Sequence, residues 1–390
     1  MFWFRRLRPP LTTFQRVDID LLMRRTIEVL GAERVRHSPI VTGLEELSLD
    51  RSSPETLLQS ALAAVQDRLP AAPQPVECII RAGDDIGFPA SYQAAADGQG
   101  AIIQIAAEVL GDPLRTVMEL AYQQANHFWH QVEPPAPLDR DPRTTNLLPI
   151  CCGLGILASD ACLYDQQWSQ AGYSGWSISR SGYYTAAEIG YAMALIGRIR
   201  REDDPGWSGR LRLDSRVTTK QALRFFAEQQ QRGQTLLFDA ERIPSSSCDQ
   251  QLLANWLAGE DSTFALAAAY ALCQRDVLSD QALQAALDAT RSGDKDLVPI
   301  ATKLLGRGRT SAATIRQRIT ELMSDEHPPT ALAAVLSAQS HGLALKTHRS
   351  RISRLLDQCV EDSIPLIAIV GQQGRDFASH NYLSDKTFYN

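Results

Sequence analysis

The sequence has few of the features that mark secreted, membrane-spanning or nucleic-acid-binding proteins. Seven cysteines in 390 residues form no paired set and no Cys-x-x-Cys motif, which excludes a dense disulfide framework. The most apolar run, residues 147–158, is too short to cross a bilayer. The net charge of −6 argues against general nucleic-acid binding. The N-terminal stretch lacks an apolar segment of signal-peptide length, so we expect a cytoplasmic protein with no membrane partner.

What is present is an ordinary globular composition, 44% apolar and 22% charged, over a length that predicts two or three domains. The first half alternates helix and strand signals. Helices are predicted at 17–30, where Gly31 is the stop, and after Ser52 or Ser53, where Pro54 opens the helix. β-Branched residues and turn signals then predict strands at 76–81, 89–94 and 101–106, with the second at a sheet edge.

The stretch 112–132 is predicted to be one amphipathic helix, with Asp112 as N-cap and Pro113 at its first position. At 100° per residue its polar residues fall within one arc of about 100°, opposite an apolar face. These polar residues are Glu119, Gln123, Asn126, His127 and His130. A polar face that carries two histidines is typical of a helix that presents a site.

The following segments predict a continuation of the same domain. A proline-rich loop at 133–145 precedes a buried helix from 146 or 149 to about 164, and glycines with aromatics at 165–184 favour an ordered loop. Thr185 and Glu188 predict a capping box for a helix at 186–200. Residues 201–211 predict a domain boundary, with a further helix near 218–231.

From about residue 249 the pattern changes to short helices at a spacing of about 33 residues. Apolar units recur at 264–273, 297–305, 330–338 and 364–370, with partner helices at 280–291, 312–323 and 349–360. This period resembles degenerate HEAT repeats. We therefore predict domains at 1–205, with a linker and connecting helix at 206–248 and an α-solenoid at 249–390.

Residues 76–200 resemble the gluzincin branch of zincin metallopeptidases, and more closely a group of bacterial peptidase-like proteins with helical repeats. The resemblance is carried by the edge strand AIIQIA and the helix after it, by LLPICCGLGILASDACLY, by SGWSISRSGYYTAAEIGYAMALIG, and by the solenoid. It implies an α+β fold, a small sheet plus helices, followed by an all-α solenoid. The family places His-Glu-x-x-His on its active helix, with two histidines as zinc ligands and the glutamate as base.

The chemistry of that family is missing at the matching positions. The first ligand position is Gln123, the base position is Gln124, and only His127 remains. Asn146 stands where the family has a supporting aspartate, and Asp141 lies one residue away from the third ligand position. A neutral amide is a poor zinc ligand and cannot take a proton from water, so we expect no catalytic residue and no cofactor.

Three functions therefore remain open from the sequence. The first is an inactive metallopeptidase-like scaffold or adaptor that binds another protein through its solenoid. The second is a zinc-dependent hydrolase with a site rebuilt from Glu119, His127, His130 and Asp141; alternatively, the amides of the helix retain a bound peptide. The third is nucleic-acid association through a basic solenoid patch, Arg316, Arg318, Lys346, Arg349 and Arg351. We expect the first, because the replaced ligands count against the second and the acidic charge counts against the third.

Overall fold

The computed structural model describes residues 9–70, 74–83, 88–94, 100–132, 142–170, 173–180, 182–245, 248–275, 277–307, 313–341 and 355. The described residues are mostly helical, with a three-stranded sheet and a two-stranded hairpin. They fall into two compact units. Unit 1 is drawn from Met1–Leu11 and Ile19–Leu236, and unit 2 from Thr12–Asp18 and Leu237–Asn390. Residues 206–236, predicted as part of a linker, thus lie in unit 1.

The N-terminal helices begin and end at local signals. They are α1 (Thr13–Leu30), α2 (Ala32–His37) and α3 (Pro54–Arg68). Gly31 has a φ of 83°, in the left-handed region that ends α1 as predicted. Ser53 and Thr56 form a reciprocal capping box at the start of α3, so Ser53 is the cap. Helix α2 lies between the two predicted N-terminal helices, and its six residues are too few for a clear apolar period.

The three predicted strands form one sheet in the order β1-β3-β2, with β1 Val76–Arg81, β2 Ala90–Ala94 and β3 Ala101–Ala106. β3 pairs in parallel with β1 and antiparallel with β2. The edge position of β2 is confirmed. The edge position that the family resemblance implies for residues 101–106 is wrong, because β3 has a neighbour on both sides. Ile103 and Ile105 of β3 are fully buried, as expected of a central strand.

Helix α4 (Pro113–Trp129) follows β3 as predicted. The Asp112 carboxylate accepts hydrogen bonds from the backbone N–H groups of Leu114 at 2.9 Å and Arg115 at 3.3 Å. The next predicted helix is divided into α5 (Pro142–Pro149), a π-helical turn at Ile150–Leu154, and α6 (Gly155–Ala161).

Gly153 causes that division. Its φ of 92° is outside the helical region, and a Cβ at this position would collide with the Pro39 carbonyl oxygen. The buried helical segment predicted from residue 146 or 149 is confirmed, but its continuity to residue 164 is wrong, because the chain is kinked at Gly153 and α6 ends at Ala161. The glycine permits a close backbone approach, which apolar periodicity does not reveal.

The end of unit 1 consists of a hairpin and two long helices. Strands β4 (Leu163–Gln170) and β5 (Tyr173–Arg180) pair antiparallel where the sequence predicts a loop. The polar and glycine-rich composition conceals these strands, whereas cross-strand hydrogen bonds satisfy their backbones. Helix α7 (Ala186–Arg200) has the predicted Thr185–Glu188 capping box. Helix α8 (Leu213–Gln231) packs against α7.

Unit 2 is a succession of short helices. They are α9 (Gln250–Leu257), α10 (Ser262–Cys273), α11 (Asp280–Ala289), α12 (Leu297–Leu305), α13 (Ala313–Leu322) and α14 (Pro328–Ser340). Helix α12 packs between α10 and α14, and α9 contacts both α10 and α11. Helices are confirmed at five predicted positions, while 349–360 and 364–370 lie outside the described residues. Within the described part of the chain, no helix is long and apolar enough to cross a membrane.

Candidate functional site on helix α4

His127 is the centre of the predicted site, and the structure gives both of its ring nitrogens a partner. The ring is fully buried. Nδ1 lies 3.2 Å from the Tyr92 hydroxyl on β2, and Nε2 lies 3.1 Å from the Gln74 carbonyl oxygen just before β1. These contacts tie α4 to one edge strand and to the segment that leads into the other.

The chemistry of the two partners assigns the protons. A carbonyl oxygen only accepts, so Nε2 carries a hydrogen and donates it to Gln74. In the neutral ring Nδ1 is then an acceptor, and the Tyr92 hydroxyl donates to it. Burial raises the pKa of Tyr92, which keeps this hydroxyl protonated. His127 therefore has no lone pair directed at open space, whereas a zinc ligand needs one.

Gln131 and His130 add further contacts around His127 and Tyr92. The Gln131 side-chain nitrogen lies 3.4 Å from Nδ1 of His127, 3.1 Å from its Nε2 and 3.4 Å from the Gln74 side-chain oxygen. An amide nitrogen only donates, and Nε2 carries a hydrogen, so the acceptors within its reach are Nδ1 and the Gln74 oxygen. The exposed ring of His130 stacks on Tyr92, with 5.1 Å between ring centroids and an interplanar angle of 15°. The two histidines thus contact Tyr92 in different ways: one through its hydroxyl and one through the face of its ring.

Glu119, one ligand of the rebuilt-site hypothesis, lies eight residues before His127, about 12 Å along a helix that rises about 1.5 Å per residue. It is buried and has an interaction partner. Burial, and next the nearby Glu119 carboxylate, raise the pKa of Tyr122. Glu119 therefore interacts electrostatically with Tyr122, about one turn further along the helix.

Gln123 and Gln124 stand at the positions that the family resemblance assigns to the first ligand and the base. Gln123 is half-buried, and Gln124 is 7% exposed. Among the described residues, the Gln124 side-chain nitrogen has no hydrogen-bond partner. An amide nitrogen is a donor only, so this position offers a hydrogen bond to a carbonyl group and no base for a metal-bound water.

Asn146, which the family resemblance places at a supporting aspartate, holds a turn. Its Oδ1 accepts a 2.7 Å hydrogen bond from the backbone N–H of Tyr183, and its Nδ2 donates to Thr145 Oγ1 at 3.3 Å. The adjacent Gly182 has a φ of 79°, and a Cβ there would lie 3.1 Å from the Tyr122 hydroxyl. Asn146 thus fixes the chain just before α7 instead of supporting a ligand histidine.

The remaining candidate of the rebuilt site, Asp141, lies outside the described residues. Among the residues that are described, no three histidine, cysteine, aspartate or glutamate side chains are grouped closely enough to hold a metal ion. The structure therefore brings His127 and His130 together around Tyr92, and it places Glu119 and Asn146 in other environments.

The predicted basic patch of the solenoid is described at two positions. Arg316 is exposed on α13. Arg318 is held in place, since its guanidinium donates to the Thr290 carbonyl at 2.7 Å and pairs with Glu321 at 3.0 Å. This contact joins α13 to the end of α11. Lys346, Arg349 and Arg351 lie outside the described residues.

The sequence analysis does not identify Tyr92, Gln74 or Gln131 as members of the site. Tyr92 lies 35 residues and Gln74 lies 53 residues before His127. Gln131 alone has a local signal, because it is four residues after His127 on the same helical face. Comparison with protein-family models, with curated proteins and with solved structures finds no match to this chain.

Proposed function

We propose that the protein is a non-catalytic, metallopeptidase-like scaffold that binds another protein through its C-terminal helical unit. The observation that supports this most directly is the environment of His127. The two nitrogens of this ring contact Tyr92 and Gln74, and such contacts are typical of a structural histidine. Gln124 and Asn146 add to the argument, because amides at these positions supply neither a general base nor a charged support for a ligand.

The helical unit supports the binding part of the proposal. Most of its helices pack on a sequence neighbour, and α9, α10 and α12 also pack on the helix two positions along, which is typical of stacked two-helix repeats. Such stacks leave an extended surface that suits another protein. Arg316, a residue of the basic patch, is exposed on that unit and adds positive charge that suits an acidic partner.

Metal content and peptidase activity of the purified full-length protein test the non-catalytic part. We expect far less than one zinc per chain and no cleavage of denatured casein. His37, an exposed histidine on α2, supplies the matched control. Zinc bound at one per chain, lost in His127→Ala and retained in His37→Ala, would overturn the proposal.

A reconstruction experiment tests the same proposal from the opposite direction. The double change Gln123→His and Gln124→Glu restores the family motif around His127. We expect it to remain free of zinc, because His127 stays engaged by Tyr92 and Gln74; adding Tyr92→Phe releases Nδ1 and should increase zinc uptake. Stoichiometric zinc and proteolysis in the double variant alone would show that the site is an intact peptidase centre.

Affinity capture tests the binding part. A protein that co-purifies with the full-length chain should be lost with Arg316→Glu and retained with Lys220→Glu, an exposed control on α8 of unit 1. Equal retention by both variants would refute the assignment of the basic solenoid face.

A further inference from the structure

A groove in unit 1 lies between helix α3 and strand β1, on the side of the sheet away from β2. Its volume is about 520 Å³. The helix contributes residues at helical spacing, which places them on one face of α3: Glu55, Leu58, Gln59 and Leu62. The strand contributes four consecutive residues, 77–80.

The consecutive lining residues show which part of the strand borders the groove. Side chains of a strand alternate between the two faces of the sheet, so a cavity on one face would be lined by every second residue. Glu77, Cys78, Ile79 and Ile80 all line this groove. The groove therefore runs along the outer edge of β1, where the backbone is accessible.

That edge has hydrogen-bonding capacity that no described strand uses. β1 pairs with β3 on one side, and among the described residues no strand pairs with it on the other. A strand with one neighbour directs the N–H and C=O groups of every second residue outward. Four residues of strand span about 13 Å, which is long enough for several backbone hydrogen bonds to an added strand.

The side chains of the groove are apolar in the middle and acidic at the rim. Leu58, Leu62 and Ile80 supply apolar surface. Burial raises the pKa of the Cys78 thiol to about 11, so it stays protonated and adds to that surface. Within the described part of the chain, the charged residues that line the groove are Glu55 and Glu77, and no basic side chain lines it.

We propose that this groove binds an extended segment of another protein, which adds as a strand to β1 and carries lysine or arginine opposite Glu55 and Glu77. Backbone hydrogen bonds to the strand edge provide affinity, and alternate side chains reach Leu58 and Leu62 on α3. The two carboxylates select a basic segment by charge complementarity. This surface belongs to unit 1, and it is separate from the helical unit of the proposed function.

The probe is a phage-displayed library of random peptides of about eight residues, about 26 Å when extended, selected on the immobilised full-length protein. We expect the recovered peptides to alternate β-branched or aliphatic residues with lysine or arginine. The best peptide is then synthesised, and its dissociation constant is measured by fluorescence anisotropy.

Two charge-reversed proteins have the same change in net charge. The test variant carries Glu55→Lys and Glu77→Lys; the control carries Asp67→Lys and Glu45→Lys, exposed residues that do not line the groove. We expect binding at least about tenfold weaker in the test variant and unchanged in the control. Thermal unfolding of both variants verifies that these surface changes leave the fold intact.

Hydrogen exchange of the bound complex provides the backbone evidence. Amides of residues 76–81 should gain protection when the peptide is present, since an added strand covers the open edge. A selection that recovers no binding peptide, equal binding by the two variants, or no added protection in β1 would each overturn the inference. The proposed function would still stand in that case, because its tests concern zinc, proteolysis and Arg316.

Discussion

Replacing His127 by leucine tests whether this ring stabilises the fold through its hydrogen bonds. Leucine is apolar and of comparable size, so the change removes the hydrogen bonds of the ring without opening a large cavity. It leaves the Gln74 carbonyl oxygen and the Tyr92 hydroxyl without their histidine partner. The companion change Tyr92→Phe removes only the hydroxyl and keeps the ring that stacks on His130.

The magnitudes follow from the two hydrogen bonds. A buried acceptor left unpaired costs about 1–3 kcal/mol, so His127→Leu should lower the free energy of unfolding of unit 1 by about 2–3 kcal/mol. Tyr92 is only half-buried, and its lost bond should cost about 1 kcal/mol. The double variant loses the shared bond once, so its destabilisation should be about 1 kcal/mol smaller than the sum of the single effects.

Urea titration of the full-length protein measures these differences, and hydrogen exchange of the α4 amides assigns them to unit 1. The exposed His37→Leu change is the control and should leave the midpoint nearly unchanged. Excess zinc should also leave the wild-type midpoint unchanged, because a ligand that binds only the folded state would raise it. A loss near zero for His127→Leu, strictly additive effects, or a zinc-dependent rise would refute the structural role.

Three further changes test other parts of the fold. Gly153→Ala places a Cβ against the Pro39 carbonyl oxygen at positive φ, and thermal unfolding should show a loss of about 3 kcal/mol or more; wild-type stability would contradict the close approach. Thr185→Ala removes the cap of α7, and urea unfolding should show a loss of about 1 kcal/mol. Thr185→Ser keeps a capping hydroxyl and should retain most of the wild-type stability. Burial lowers the pKa of His327 below its ordinary value, so the unfolded chain binds the proton more readily, and this residue's contribution to stability should decrease as the pH falls through about 6.5. His327→Asn should remove that part of the pH dependence in melting curves between pH 5 and 8, and an unchanged slope would contradict it.

The sequence by itself determined those elements whose signals are local. The cap at Ser53, the stop at Gly31 and the capping box at Thr185 fix helix boundaries through hydrogen bonds between residues three or four positions apart. The strands at 76–81 and 101–106 follow from β-branched composition. The succession of helices in unit 2 follows from the apolar segments that recur about every 33 residues in its sequence.

Only the tertiary structure decided how those elements are combined. β3 is central because β1 and β2 approach it from separate parts of the chain, which no strand signal records. The role of His127 depends on Tyr92 and Gln74, 35 and 53 residues away, and the interruption of a buried helix depends on the contact of Gly153 with Pro39. Helical periodicity shows which face is polar, but the partner of each polar atom is set by long-range packing, because buried donors and acceptors must be satisfied wherever the folded chain brings them together.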